Sequence, residues 1–257
     1  MIVAILQARC SSTRLPNKVL KPLLGEPMIR RQIERIQRAR LIDELVVATS
    51  TDSSDDALAS VCNSAGINVF RGSLEDVLDR VYRAAVECTP DYVVRLTADC
   101  PLIDPEVIDE VIRSCQVGNY DYTSNGVEPT YPDGLDVEVI RLAALEHAWR
   151  EARLPSEREH VTPFIYHHPE LFSIYHVKND VDFSHLRWTV DNAEDFRFVT
   201  SVYEALYPVK PSFKTQDVLA LLELHPDWTE LNRHIVRNEG MKKSLLADQH
   251  AGKVTAK

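Results

Sequence analysis

Residues 1–18, MIVAILQARCSSTRLPNK, decide the fold. Ile2 to Leu6 are apolar and rich in β-branched side chains. Such a run is a short strand buried on both faces, as in the middle of a parallel sheet. The strand then gives way to a polar loop carrying Arg9, Arg14 and Lys18 among Ser11, Ser12 and Thr13, punctuated by Pro16. Ligands of open α/β sheets bind beyond the carboxyl ends of the strands. Two arginines, a lysine and a run of hydroxyls at that place describe a pocket for several phosphates. An ordinary solvated loop with spare charges is the plain alternative. Neither Gly-x-x-x-x-Gly-Lys nor Gly-x-Gly-x-x-Gly occurs, so this is not a Walker or dinucleotide fingerprint.

Working outward, strand and helix alternate with short connections. Met28, Ile29, Ile33, Ile36 and Leu41 give Glu26–Leu41 a helical period. Leu45–Ala48, Ile67–Phe70 and Tyr92–Leu96 read as strands. Ala57–Ala65, Leu74–Ala85 and Pro105–Cys115 read as helices. This pattern over residues 1–115 specifies a parallel sheet with helices on both faces, an α/β, Rossmann-like three-layer α/β/α architecture. Past residue 115, strands are expected at Asp121–Asn125, Leu135–Ile140, Phe172–Val177 and Leu186–Val190, with helices at Leu142–Glu151 and Glu194–Leu206. No linker separates the halves, so residues 1–240 form one domain with two halves, 1–115 and 116–225. A flexible tail is expected over 241–257.

The 29 basic and 39 acidic residues leave a net charge of −10. That balance argues against nucleic acid or an anionic membrane as the main partner, though not against a small anionic ligand. No apolar run reaches the roughly 18 residues of a membrane span, and no leader pattern precedes the first strand. The five cysteines, Cys10, Cys62, Cys88, Cys100 and Cys115, are scattered and form no Cys-x-x-Cys. A reduced, cytoplasmic protein is expected, with Cys10 and Cys100 as small space-filling residues rather than catalytic thiols.

RLTADCPLIDP, Arg95–Pro105, is the second element with chemistry. A buried strand runs into Thr97, Ala98 and Asp99. A carboxylate at the tip of a central strand suits magnesium, a hard cation shared with phosphates. Asp104, just before Pro105, is a helix cap. The third element, RWTVDNAEDF, again ends a strand on an aspartate, Asp191, with Asn192 as cap and Glu194 and Asp195 favouring the helix dipole. Asp76, Asp79 and Arg80 read as an exposed helix face. Asp133, Asp136 and Glu138 in YPDGLDVEVI suit acceptor hydroxyls or amines, and a strand alternating apolar-in and acid-out looks the same. Glu159 and His160 stand in SEREHVTPF. His167-His168 reads as a surface helix end. No Gly-x-Ser-x-Gly elbow is present.

QARCSSTRLPNK resembles the N-terminal signature of the cytidylyltransferases that make CMP-activated sugar acids: the CMP-Kdo and CMP-sialic acid synthetases and the family named after spore coat polysaccharide biosynthesis protein F. RWTVDNAEDF resembles their Val-Asp-x-x-Glu-Asp segment, and FRGSLEDVLDR and SEREHVTPF resemble segments of the spore-coat branch. The resemblance covers roughly residues 1–205. It implies the nucleotide-diphospho-sugar transferase (GT-A-like) fold with a small acceptor-side or dimerisation lobe. It implies transfer of CMP from CTP to a sugar acid or related small polar acceptor, with release of pyrophosphate, in surface polysaccharide synthesis. Mg2+ is the implied cofactor, on Asp99 and Asp191, and a homodimer the implied assembly. Arg14, Lys18 and Asp99 are the implied catalytic residues. Ala8, Arg9, Ser11, Ser12, Arg14, Lys18, Arg71, Thr97 and Ala98 would contact the nucleotide, and Asp136, Glu138, Glu159 and His160 the acceptor. The Kdo enzymes carry a glutamine and a glycine ahead of the first metal aspartate, where this chain has Thr97-Ala98. Two other readings compete. A glycosyltransferase of the same fold would need an Asp-x-Asp motif, for which Asp180-Val181-Asp182 is the only candidate. A non-catalytic sugar-nucleotide binder would release no pyrophosphate.

Overall fold

The computed structural model describes residues 1–237 and 239–254. Its centre is β1 (Ile2–Gln7), hydrogen-bonded in parallel to β4 (Glu44–Ser50) on one side and β6 (Tyr92–Thr97) on the other. With both edges paired, no backbone group of this apolar strand is left unsatisfied. Its side chains alternate: Ala4 and Leu6 join the core on one face of the sheet, Val3 and Ile5 the core on the other. β5 (Asn68–Gly72) extends the sheet in parallel beyond β4. Beyond β6 lie β8 (Glu138–Arg141), β7 (Tyr122–Ser124) and β9 (Ile174–His176), with β8 antiparallel to both its neighbours. The seven strands stand in the order β5-β4-β1-β6-β8-β7-β9. One sheet therefore takes strands from both halves of the chain, and the expected three-layer, mostly parallel α/β fold is what forms. A small hairpin of β2 (Pro22–Leu23) and β3 (Glu26–Pro27) leads into the first helix.

α1 (Met28–Ile36), α2 (Asp56–Ser64), α4 (Pro105–Gly118), α8 (Ala193–Leu206) and α9 (Thr215–Leu224) cover one face. α3 (Val77–Val86), α5 (Leu142–Glu151) and α7 (Pro163–Tyr166) cover the other. α4 starts as its sequence asks: the Asp104 carboxylate accepts from Glu106 N at 2.9 Å, with Pro105 at the first helical position. No helix among the described residues is long and apolar enough to cross a membrane.

Two expectations meet a different structure. Leu186–Val190 is extended but not a strand; it makes a single bridge, Asp133 to Arg187. Asp133 N donates to Leu186 O at 2.9 Å and Trp188 N to Asp133 O at 2.6 Å. The ladder stops there because Pro132 has no N–H and the chain turns at once, Leu135 N donating to Pro132 O at 3.1 Å. Gly134 makes that turn at φ +114°, and a Cβ there would stand 2.6 Å from Thr189 N. Only glycine permits so close an approach.

The second is the C-terminal segment. Where a flexible tail was expected from residue 241, a helix, α10 (Glu239–Val254), packs against α6 (Pro155–His160). Asp248 accepts from Ser156 N at 2.9 Å, and Ser244 is buried. The polar composition that suggested fraying is here a set of partners for α6 and the loop after β1.

Candidate active site

β1 and β6 end side by side, Gln7 opposite Thr97, and their carboxyl ends open on a cavity of about 800 Å³. Ala8, Arg9, Ser11, Ser12, Arg14, Lys18, Thr97, Ala98, Asp99, Asp136, Glu138, Glu159, His160 and Asp191 all line it. These come from five separate stretches of sequence, which the fold brings to one place.

The loop after β1 is pinned from below. Cys10 N donates to Asp55 Oδ1 at 2.6 Å, and the other oxygen of this fully buried carboxylate accepts from Ser50 N at 3.1 Å. Asn17 N closes the loop on Cys10 O at 3.0 Å. The loop thus holds its cations in place before any ligand arrives. Nothing local marks Asp55 as the pin, because the loop it holds lies 45 positions away.

Lys18 is the node. Its side chain is 11% exposed, and its three N–H bonds go to Asp99 Oδ2 at 3.2 Å, Asp191 Oδ1 at 2.9 Å and Val190 O at 2.8 Å. Two carboxylates from distant parts of the chain therefore converge on one ammonium. Burial alone would raise the Asp99 carboxyl; Lys18, with the Thr97 hydroxyl, outweighs burial and holds it down at about 2. Burial would likewise lower Lys18, and the two carboxylates reverse it, so the ammonium stays charged. The remaining Asp191 oxygen meets Arg14 NH2 at 3.0 Å and Arg187 NH2 at 3.2 Å.

Arg187 organises the second aspartate. Its buried guanidinium reaches Asp195 Oδ1 at 2.9 Å, Asp133 Oδ2 at 2.8 Å and Asp191. Asp195, expected merely to favour the helix dipole, is fully buried and also accepts from Asp191 N and Asn192 N, each at 2.9 Å. It fixes the backbone that presents Asp191. A charged pair eight residues apart across a helix start is a signal the sequence carries, and it identifies Arg187 and Asp195 as positioning residues.

Four other expectations are corrected by their contacts. Arg71 faces away from the cavity: its guanidinium bonds Ser50 O at 2.8 Å, Asp52 O at 2.9 Å and Asp56 Oδ1 at 2.7 Å. Its place in the cavity is taken by Arg80, 1% exposed. Arg80 follows Val77 by three positions and precedes Ala84 by four, which puts it on the buried stripe of α3. Burial, with Arg9 nearby, lowers it to about 10, and its Nε has no partner among the described residues. Asp76 and Asp79 are not a bare face either: Asp76 caps α3 and pairs with Arg158, and Asp79 accepts from Arg83 and Trp149. Glu138 is the cavity floor rather than a free contact. Its carboxylate pairs with Arg95 and accepts from Tyr122 OH and Thr162 Oγ1, each at 2.5 Å.

The remaining expected residues, Asp136, Glu159 and His160, have partners that also line the cavity. Glu159 and His160 meet over Ser244, whose hydroxyl lies 2.5 Å from Glu159 Oε2 and 3.0 Å from His160 Nε2. Asp136 Oδ1 pairs with Arg237 NH2 at 2.5 Å. All five cysteines are free. Burial, and then Asp99, push the Cys100 thiol well above its usual range, and burial beside Asp55 raises Cys10 to about 12. Both stay protonated, as space-filling residues would. Asp180 and Asp182 lie outside the cavity, where Asp182 Oδ1 accepts from Ser184 N at 2.8 Å.

Burial, with Asp136 alongside, pushes the Asp133 carboxyl from 3.8 up to about 7, against the pull of Arg237 and Arg187. The unfolded chain releases this proton near 3.8, while the folded one keeps it to about 7. The group therefore favours folding at low pH, and that contribution is lost as pH rises through this window. In urea titrations of the ligand-free protein from pH 4 to 8, wild type is expected to lose stability more steeply than Asp133→Asn. Parallel curves would contradict this.

The profile described as cytidylyltransferase matches residues 3–223. An uncharacterized protein of Methanocaldococcus jannaschii is 34% identical over 236 residues, covering 91% of this chain and 95% of that protein. The spore coat polysaccharide biosynthesis protein SpsF of Bacillus subtilis is 34% identical over 235 residues, 88% of this chain and 95% of the relative. The solved structure of a cytidylyltransferase from Leptospira borgpetersenii superposes with a TM-score of 0.84 at 30% identity, covering 89% of this chain and 96% of that one. With the cation loop, the paired aspartates and the sheet order that joins them, these matches make the chain a nucleotidyltransferase that belongs to the cytidylyltransferase family.

Proposed function

We propose that this enzyme transfers CMP from CTP to a sugar acid or related small polar acceptor, releasing pyrophosphate, in the synthesis of a surface polysaccharide or glycan. The observation that carries the reading is Lys18 held between Asp99 and Asp191 at the mouth of a loop lined with Arg9 and Arg14.

The donor set fits a divalent cation. The described residues contain no group of three or more His, Cys, Asp or Glu around one point. Magnesium, however, is commonly held by one or two carboxylates, with phosphate oxygens and water completing its shell. Asp99 and Asp191, which already share one cationic nitrogen, are such a pair. Bound there, Mg2+ would neutralise phosphate charge and polarise the α-phosphate.

The chain's own part is positioning and charge. Arg9, Arg14 and the loop hydroxyls take the triphosphate, laid along the cavity from the end of β1. Lys18, fixed by three bonds, stands where the leaving pyrophosphate gains charge. Arg187 and Asp195 keep Asp191 in register. The acceptor enters from the side of Asp136, Glu159 and His160, and its oxygen attacks the α-phosphorus in line with the leaving group.

The test is pyrophosphate release from each of the four ribonucleoside triphosphates against sugar acids and phosphorylated polyols, with and without Mg2+. Metal-dependent release with CTP is the expected result. Release of only a nucleoside diphosphate from a sugar nucleotide would replace the reading with glycosyl transfer, and CTP binding without turnover would leave a binding protein.

A further inference from the structure

The floor of the cavity carries a charged pair on the sheet itself. Arg95 of β6 stands directly opposite Glu138 of β8, on the face of the sheet where Val93 and Ile140 join the core. Burying an ion pair among apolar neighbours costs desolvation that the attraction only partly returns. Glu138 has no capacity left: Oε2 takes Arg95 Nη1, and Oε1 accepts from Tyr122 OH and Thr162 Oγ1, each at 2.5 Å. Arg95 has capacity. Its Nε donates to Gln7 Oε1 at 2.9 Å and its Nη1 to Glu138, which fixes the plane of the guanidinium. Nη2 has no partner among the described residues, and it is not one of their buried polar atoms. The side chain is 10% exposed and lines the cavity, so Nη2 is the nitrogen it presents there.

A second open donor stands beside it. Tyr166 lines the cavity, and its hydroxyl likewise has no partner among the described residues and is not a buried atom. Burial, then Glu138, push this phenol up to about 12, with Arg95 pulling the other way, so the hydroxyl keeps its proton and lies next to the pair. Tyr166 follows His160 by six positions and Thr162 by four, which puts it on the acceptor side. The surroundings hold an excess of positive charge. Arg80 gives Nη1 to the Ser73 and Leu74 carbonyls and has no carboxylate at ion-pair distance among the described residues; burial, Arg9 and Arg95 all push it down.

We propose that Arg95 Nη2 and Tyr166 OH together hold the acid group of the acceptor, one oxygen each, and so select acid-bearing over neutral acceptors. This rests on the activity proposed above and names the residues that read its acceptor. A carboxylate offers two acceptor oxygens to two donors and brings a negative charge close to Arg80 and Arg9. A carboxamide brings no charge and turns an N–H toward one of the two donors, which then stays unpaired. The Arg95–Glu138 pair is neutral by itself, so the fixed direction of Nη2, with the neighbouring cations, favours the anion.

The test uses full-length wild type, Tyr166→Phe and Arg95→Lys. Pyrophosphate release is followed with CTP and Mg2+ against sugar acids and their neutral carboxamide counterparts, and CTP binding is measured separately by calorimetry. Wild type is expected to favour the acid in kcat/KM. In Tyr166→Phe that preference falls about tenfold through the acceptor KM, while the KM for CTP stays within about twofold. Its melting transition stays at the wild-type temperature, because the hydroxyl has no protein partner to lose. Arg95→Lys, which keeps a charge for Glu138 but loses the fork, loses the preference at least as far; if it fails to fold, Tyr166→Phe still decides. A preference unchanged in Tyr166→Phe overturns the proposal, as does a KM for CTP that rises in parallel. Wild type that turns over only neutral acceptors overturns it and leaves nucleotidyl transfer standing. Wild type that releases no pyrophosphate with any acceptor overturns both, and the calorimetric trace shows whether CTP binding survives.

Discussion

Asp99→Asn is expected to lower CTP-dependent pyrophosphate release by about 10³-fold or more while leaving the melting transition close to wild type. The substitution keeps shape and removes charge. The backbone of residue 99 stays tied to the extended segment before Asp191, Val190 N donating to its carbonyl at 2.7 Å and Thr189 Oγ1 at 3.2 Å. What disappears is one of the two anionic oxygens that meet at Lys18 and that would hold the metal. Lys18→Met is the complementary experiment. It removes the ammonium and leaves two carboxylates facing each other at the cavity mouth. The Asp99 carboxyl should rise in pKa, since the lysine is what holds it down against burial. Because Lys18 and Asp99 act as a unit, the double variant should lose little more activity than either single one. Additive losses would show that the two act independently and would break the central assignment. Rates and melting curves on the same preparations distinguish a chemical defect from a folding one.

The other large effect is on stability. Asp195→Ala is expected to cost about 3–5 kcal/mol, read from urea denaturation at neutral pH. Asp195 is fully buried, yet it satisfies two guanidinium nitrogens of Arg187, two backbone N–H groups at the start of α8 and Asn232 Nδ2. Removing it strands a buried cation and several donors at once. The same change frees the backbone of Asp191, so activity should fall beyond what the unfolded fraction explains. Asp195→Asn, which keeps an acceptor, should recover part of the stability and less of the activity. A loss under about 1 kcal/mol would show that Arg187 finds compensation elsewhere, in Asp133 or Asp191.

Reading the residues alone took the site a long way, and for a physical reason. A strand buried on both faces can only be central, so its end must lie on the ligand edge of the sheet. The same reasoning places Thr97–Asp99. Both stretches combine a short, nearly continuous apolar run with an abrupt change to polar and charged residues, which is a local signal. Local capping at Asp104 was legible for the same reason. The exposed face assigned to Arg80 shows the limit: a long cation on a helix looks solvated until its neighbours at Val77 and Ala84 are seen to face the sheet. Arg71 erred the other way, since its partners Ser50 and Asp52 sit on a neighbouring strand end that nothing around Arg71 announces.

The sequence by itself determined the α/β layering, the central place of Ile2–Gln7, the cation loop and the two candidate carboxylates, because each is written in contiguous periodicity or a short motif. Only the tertiary structure decided which charges are paired and which are free. It joined Asp99 and Asp191 through Lys18, spent Glu138 on Arg95, turned Arg71 outward, set Arg237 beside Asp136, and folded α10 back to put Ser244 beside His160. Pairing of that kind depends on distances between groups tens to hundreds of positions apart, set by how strands order in the sheet and how closely Gly134 lets two segments approach. A buried charge is stable only with its partner, and the partner is chosen in space.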